Sequence, residues 1–216
     1  MLLIFLLVAL PFLILSFIEL TASAFRRIGF SRWHSLLIIL GSLLGSMIDI
    51  PIPFVDIDSV GIAVNIGGCL IPVIVSLDLM IRGRTEILGA IGGVIIVSFL
   101  MYLLAEPVPG AGITLPIYIP PLVSGACGLI LARSRYHAPS IAYISGTLGT
   151  FTGADIFHLV QGDIVEELTL GYRYEPPPLL SIGGAGVFDG IFLSGILAVL
   201  LASLAARFLL PKQDHS

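Results

Sequence analysis

Apolar residues run through this chain in seven blocks separated by short polar breaks: residues 2–20, 33–48, 61–81, 87–105, 117–132, 141–160 and 180–210. A helix needs about 20 apolar residues to cross a bilayer core of roughly 30 Å. Most of the blocks have that length, so the pattern predicts an all-α bundle of seven transmembrane helices. The second and fifth blocks are short. Pro51 and Pro53 follow the second, and Pro116, Pro120 and Pro121 crowd the fifth. Both are expected to be broken or partly re-entrant, which is allowed only where protein or water satisfies the backbone. With no linker in view, residues 1–216 read as a single integral membrane domain.

Composition agrees with the pattern. The chain is 57% hydrophobic and 11% charged, against about 25% charge in a soluble domain. The formal net charge is −4; where the charges lie matters more. Arg26, Arg27 and Arg32 follow the first block, Arg82 and Arg84 the third, Arg133 and Arg135 the fifth; Arg207 and Lys212 close the seventh. Alternating helices put all of these on one side, with Arg173 opposite. Basic loops mark the cytoplasmic face, so the N-terminus is expected outside and the C-terminus in the cytoplasm of a multi-pass cell-membrane protein. Ala22-Ser23-Ala24 resembles a signal-peptide cleavage site, but no positive charge precedes the first block, so that block is expected to be retained. The arginines are scattered over short loops, which gives no footing for nucleic acid.

The opposite loops are acidic, with Asp49, Asp56, Asp58, Glu106, Asp163, Glu166, Glu167 and Glu175. They read as solvated loops, or as a funnel that concentrates cations at the outer mouth. Residues 161–179 form the longest outer loop and are long enough to cover the ends of the sixth and seventh helices. Cys69 and Cys127 sit in apolar sequence and read as small buried residues. No metal site is expected, and no cofactor. Asp78 precedes Arg82 by four residues and reads as an ion pair. The tripeptides Ile66-Gly67-Gly68, Ile91-Gly92-Gly93 and Ile182-Gly183-Gly184 read as places of close helix packing.

Two aspartates carry the candidate chemistry. Asp155 lies in the sixth block and Asp189 in the seventh. A carboxylate at the centre of a transmembrane helix costs roughly 2.5–3.5 kcal/mol on the gentlest scale, so each is expected to face a polar interior. Thr152, three residues before Asp155, shares its helix face, and His158 continues it. Ser145, Gly149 and Gly153 form a small-residue stripe, with Gly186, Gly190 and Ser194 as a matching one. The two helices run antiparallel, and both carboxylates fall in the outer half, where they are expected to meet. Asn65, in the outer half of the third block, is a further candidate for the same cavity. Close carboxylates do not easily both ionise and can share a proton. Three readings follow: an ion or proton site built on Asp155, Asp189, Asn65 and Thr152; a hydrolytic pair of Asp155 and Asp189; or two aspartates that serve structure alone.

Gly153-Ala154-Asp155-Ile156-Phe157 and Gly186-Val187-Phe188-Asp189-Gly190 resemble the two motifs of intramembrane aspartyl proteases of the signal-peptide-peptidase and presenilin group. That resemblance implies catalytic roles for Asp155 and Asp189. Ala154 stands where the group has tyrosine, Phe188 where it has the second glycine, and no Pro-Ala-Leu motif follows. The runs Asn65-Ile66-Gly67-Gly68, Gly149–Asp155 and Gly183–Phe192 resemble a family of small prokaryotic membrane proteins of unknown function, which implies a multi-helix membrane protein and no stated activity. Ion- or proton-linked transport is the preferred expectation, with membrane lipid and a cation or proton as partners.

Overall fold

The structure is a computed structural model, and it describes residues 2–57, 60–108, 112–161 and 179–209. The expected outer loop at 161–179 therefore lies almost wholly outside the described residues, as do Asp58, Asp163, Glu166, Glu167 and Glu175. The chain is mostly helical. In order come α1 (Leu2–Arg27), α2 (Arg32–Gly45), β1 (Asp49–Ile57), β2 (Val60–Asn65), a π-helical turn (Ile66–Leu70) leading into α3 (Ile71–Ile81), and α4 (Ile87–Leu104). There follow β3 (Glu106–Val108), β4 (Gly112–Thr114), α5 (Ile119–Leu131) and α6 (Ala138–Thr150). A π-helical stretch (Phe151–Ile156) continues α6 into α7 (Phe157–Gln161). β5 (Leu179–Ile182), a 3-10 turn (Gly186–Phe188) and α8 (Gly190–Leu209) complete the described chain. Among the described residues, three helices are long and apolar enough to cross a membrane, those ending in Arg27, Leu104 and Leu209.

Local chemistry explains the helix starts. Ser31 caps α2, its Oγ accepting from His34 N at 3.3 Å. Pro72, Pro120 and Pro139 fall in the first turns of α3, α5 and α6, where the missing N–H has no intrahelical partner to lose. The prolines crowding the fifth block thus start its helix rather than break it.

The all-α expectation needs correcting in one region. Residues 61–65 and 180–185 are not helical, and Gly186–Phe188 form only a short 3-10 turn. β2 runs antiparallel to β1 and parallel to β5, giving a three-stranded sheet in the order β1-β2-β5. β3 and β4 form a separate two-stranded hairpin. Val60-Gly61-Ile62-Ala63-Val64 is a short apolar run that hydropathy cannot tell from a helix. Its pairing with β5 joins Gly61 to Leu179 and Val64 to Ile182, a contact between distant parts of the chain. After β5 the backbone turns through Gly183 (φ 76°) and Gly186 (φ 63°), so the last α-helix does not begin until Gly190.

Two of the glycine tripeptides pack directly on one another. A Cβ on Gly68 would lie 2.1 Å from the Gly183 carbonyl oxygen, and one on Gly183 would lie 2.7 Å from Cys69 Cβ. The third serves α4, where a Cβ on Gly93 would strike Ser145 Oγ of α6 at 2.0 Å. The stripe Ser145, Gly149 and Gly153 therefore faces α4 rather than the last helix, since Gly149 abuts Val97 and Gly153 abuts the Ser98 backbone. α8 meets α6 along a neighbouring face, where Gly146 abuts Ser194 and Gly195 abuts Tyr143 and Thr147.

The basic loops gather at one end of the bundle. Arg84 Nη1 donates to Gly29 O at 2.9 Å, Ser140 Oγ donates to Arg84 O at 3.0 Å, and Glu86 meets His137 Nδ1 at 2.8 Å and the Arg133 amide. Arg27, Arg135 and Arg207 border a common recess there. Both sheets lie at the opposite end, with the acidic residues Asp49 and Glu106. The Asp78–Arg82 pair forms at 2.5 Å.

Candidate functional site

Asp155 and Asp189 line one cavity of about 300 Å³ between the bundle and the sheet end. They arrive from different kinds of structure. Asp155 is on the π-helical stretch that continues α6. Asp189 is not inside a helix, as the apolar pattern had suggested. It is the residue before α8, with extended backbone (φ −67°, ψ 148°). Its Oδ1 accepts from Ile191 N at 2.9 Å and its carbonyl from Leu193 N at 2.9 Å. Asp189 thus caps α8, satisfying an N–H that has no partner within the helix and placing negative charge at the positive end of the helix dipole.

The π-helical stretch decides which neighbours join Asp155. Its hydrogen bonds run from residue i to i+5, so residues five apart come onto one face. Thr150 and Asp155 both line the cavity, whereas Thr152, chosen by α-helical spacing, is not among the lining residues. Thr150 Oγ1 donates to Ser194 Oγ at 3.3 Å, and Ser194 Oγ reaches Gly146 O at 2.8 Å. These bonds tie α6 to α8 directly beneath the aspartates. Pro120 of α5 and Ile113, Thr114 and Leu115 at the β3–β4 hairpin close the opposite wall.

Asn65 lies elsewhere in this end of the molecule, and it is fully committed. It is completely buried. Its Oδ1 accepts from Gly67 N at 3.0 Å and Gly68 N at 2.9 Å. Its Nδ2 donates to Ser46 O at 3.0 Å and Asp49 Oδ1 at 3.0 Å. Asp49 Oδ1 also accepts a short hydrogen bond from Ser181 Oγ of β5, and Ser46 Oγ accepts from Val187 N at 3.1 Å. Asn65 is the centre of a polar knot that fixes α2, β1, β2 and β5 to the turn carrying Asp189. Its relation to the cavity is one of support, not of lining.

His158 is buried, with Nδ1 3.2 Å from Gly153 O and its ring centroid 5.0 Å from that of Tyr102. Cys69 is buried, with its Cβ against Gly183 in the turn that leads to Asp189. Among the described residues, no three His, Cys, Asp or Glu side chains gather as a metal-binding group. Thr150 escaped the sequence reading, which took Ser194 only as part of a packing stripe and Cys69 only as a small buried residue. The first depends on the π-helical spacing, the second on helix crossing, and the third on contact between the two Ile-Gly-Gly turns.

No curated protein and no solved structure matches the chain. The family described as "Protein of unknown function (DUF1614)" matches residues 13–201, which include the polar knot, the π-helical stretch and the capped start of α8. The chain belongs to that family.

Proposed function

We propose that this chain is a multi-pass protein of the cell membrane, N-terminus outside and C-terminus cytoplasmic, that moves a proton or small cation through a site built on Asp155 and Asp189. The observation that carries this reading is the convergence of two carboxylates on one cavity, beside the hydroxyls of Thr150 and Ser194. Oxygen donors of this kind suit a proton or a hard cation. The carboxylates come from a helix with a π-helical interruption and from the start of a helix preceded by a strand. Interrupted helices at a shared cavity are the usual setting for coupling sites in carriers. The acidic residues at the sheet end fit a mouth that attracts cations.

Reconstitution in proteoliposomes tests the proposal. Wild-type protein is expected to give proton flux or cation-dependent uptake, abolished in Asp155→Asn and in Asp189→Asn. Asparagine at 189 retains the capping oxygen, so loss of flux in that variant reports the charge rather than the fold. Flux that survives both substitutions sinks the proposal. Cleavage of a membrane-spanning reporter that depends on both aspartates would replace it with a hydrolase.

A further inference from the structure

The molecule has a second recess of chemical interest, at the arginine end and far from the aspartates. α2 and α3 run antiparallel and touch at the sheet end. There a Cβ on Gly45 would lie 2.8 Å from Ile66 Cγ2, and one on Gly41 would lie 3.4 Å from Ile71 Cδ1. Towards the arginine end the two helices part, leaving a groove of about 520 Å³. Its walls are apolar and include Leu37, 67% exposed, and Ile74, 53% exposed. Its floor at the helix ends is basic and polar, formed by Arg82, Arg84, His34 and Ser31.

We infer that this groove binds one anionic phospholipid, with the phosphate against Arg82 and Arg84 and an acyl chain along Leu37 and Ile74. The inference rests on the membrane-spanning reading above and not on the transport reading. Charge complementarity supports the headgroup. Asp78 lines the same groove and pairs with Arg82, so two arginines against one aspartate leave one net positive charge, which a single phosphate neutralises. Arg84 is already held in place, with Nη1 on Gly29 O at 2.9 Å and its guanidinium over the Phe30 ring at 5.5 Å. His34 and Ser31 are linked at 2.6 Å and add polar contacts beside the arginines. The walls support the chain. An apolar wedge open to the side of a bundle is poorly hydrated, and a hydrocarbon tail fills it without cost to any polar group. Free phosphate meets the arginines and leaves the wedge empty.

The test uses the full chain purified from membranes in mild detergent. Native mass spectrometry reads retained lipid; delipidated protein is then titrated with phosphatidylglycerol, phosphatidylcholine and inorganic phosphate. One phosphatidylglycerol is expected to bind in preference to phosphatidylcholine, with inorganic phosphate unable to compete at the same concentration. Arg82→Gln/Arg84→Gln should weaken binding about tenfold or more. Ile74→Trp, which fills the wedge and leaves the charges intact, should weaken it too. Arg207→Gln, basic but outside the groove, should not. If the double arginine variant melts early, Arg82→Gln and Ile74→Trp decide. Equal lipid binding in those variants and the wild type overturns the inference, as does competition by inorganic phosphate or indifference to headgroup charge. Recovery of the chain in the soluble fraction without detergent would remove the membrane reading, and this inference with it.

Discussion

Replacing Asn65 probes the joint that holds Asp189 in place. The side chain is fully buried and makes four hydrogen bonds, two as acceptor and two as donor. Asn65→Ala strands the Gly67 and Gly68 amides and the Ser46 carbonyl. A buried group left without its partner costs about 1–3 kcal/mol, so allowing for some relaxation the loss is about 4 kcal/mol. For a chain of this size, about 2–4 °C of melting temperature accompanies each kcal/mol, which gives a drop of about 10 °C. Asn65→Asp separates the two halves of the interaction. It keeps an acceptor for both glycine amides but turns a carboxylate oxygen toward Ser46 O and Asp49. It is therefore expected to melt at least as early as Asn65→Ala. Adding Asp49→Asn supplies a new donor and removes the repulsion, so the double variant should recover about half the loss. Cys69 and Cys127 are free and buried, so a thiol-reactive dye reports unfolding on heating. An Asn65→Ala protein melting within about 2 °C of wild type would refute the argument. Asn65→Asp at the wild-type temperature would show that the bonds to Ser46 and Asp49 carry nothing.

Gly68→Ala places a methyl 2.1 Å from the Gly183 carbonyl oxygen, against backbone that cannot yield, and should reduce folded yield severely. Gly92→Ala, whose nearest neighbour is Leu131 Cδ1 at 3.7 Å, should melt at or above wild type, because alanine is favoured over glycine in a helix by up to about 1 kcal/mol. Asp189→Ala should lose about 1 kcal/mol by uncapping α8, and Asp189→Asn only a fraction of that, as read by the same dye assay. Cysteines introduced at Gly83 and Thr114, at opposite ends of the bundle, should label from opposite sides of the membrane; labelling from one side would end the alternating topology.

Hydropathy placed the helices coarsely, because a long apolar run is usually helical, but it also carried the third and seventh blocks over residues 61–65 and 180–185, which are strand and turn. Arg26, Arg84, Arg133 and Arg207 fall at one end of the fold, on the side where the spacing of the apolar blocks had put them. Two carboxylates in apolar sequence raised the expectation of a common recess, because a lone carboxylate facing hydrocarbon is costly. Three things were beyond reach of local pattern. The strand character of residues 60–65 comes from pairing with residues 179–182, and no local signal records a partner more than a hundred positions away. The release of Asp189 from the last helix goes with positive φ at Gly183 and Gly186, in a turn packed against Gly68, Cys69 and Ser46. The replacement of Thr152 by Thr150 at the cavity comes from π-helical backbone at Phe151–Ile156, which shifts every later face of that helix. Sequence determines where apolar surface and charge must go. Which side chains finally share a cavity depends on backbone irregularities that only the packed chain selects.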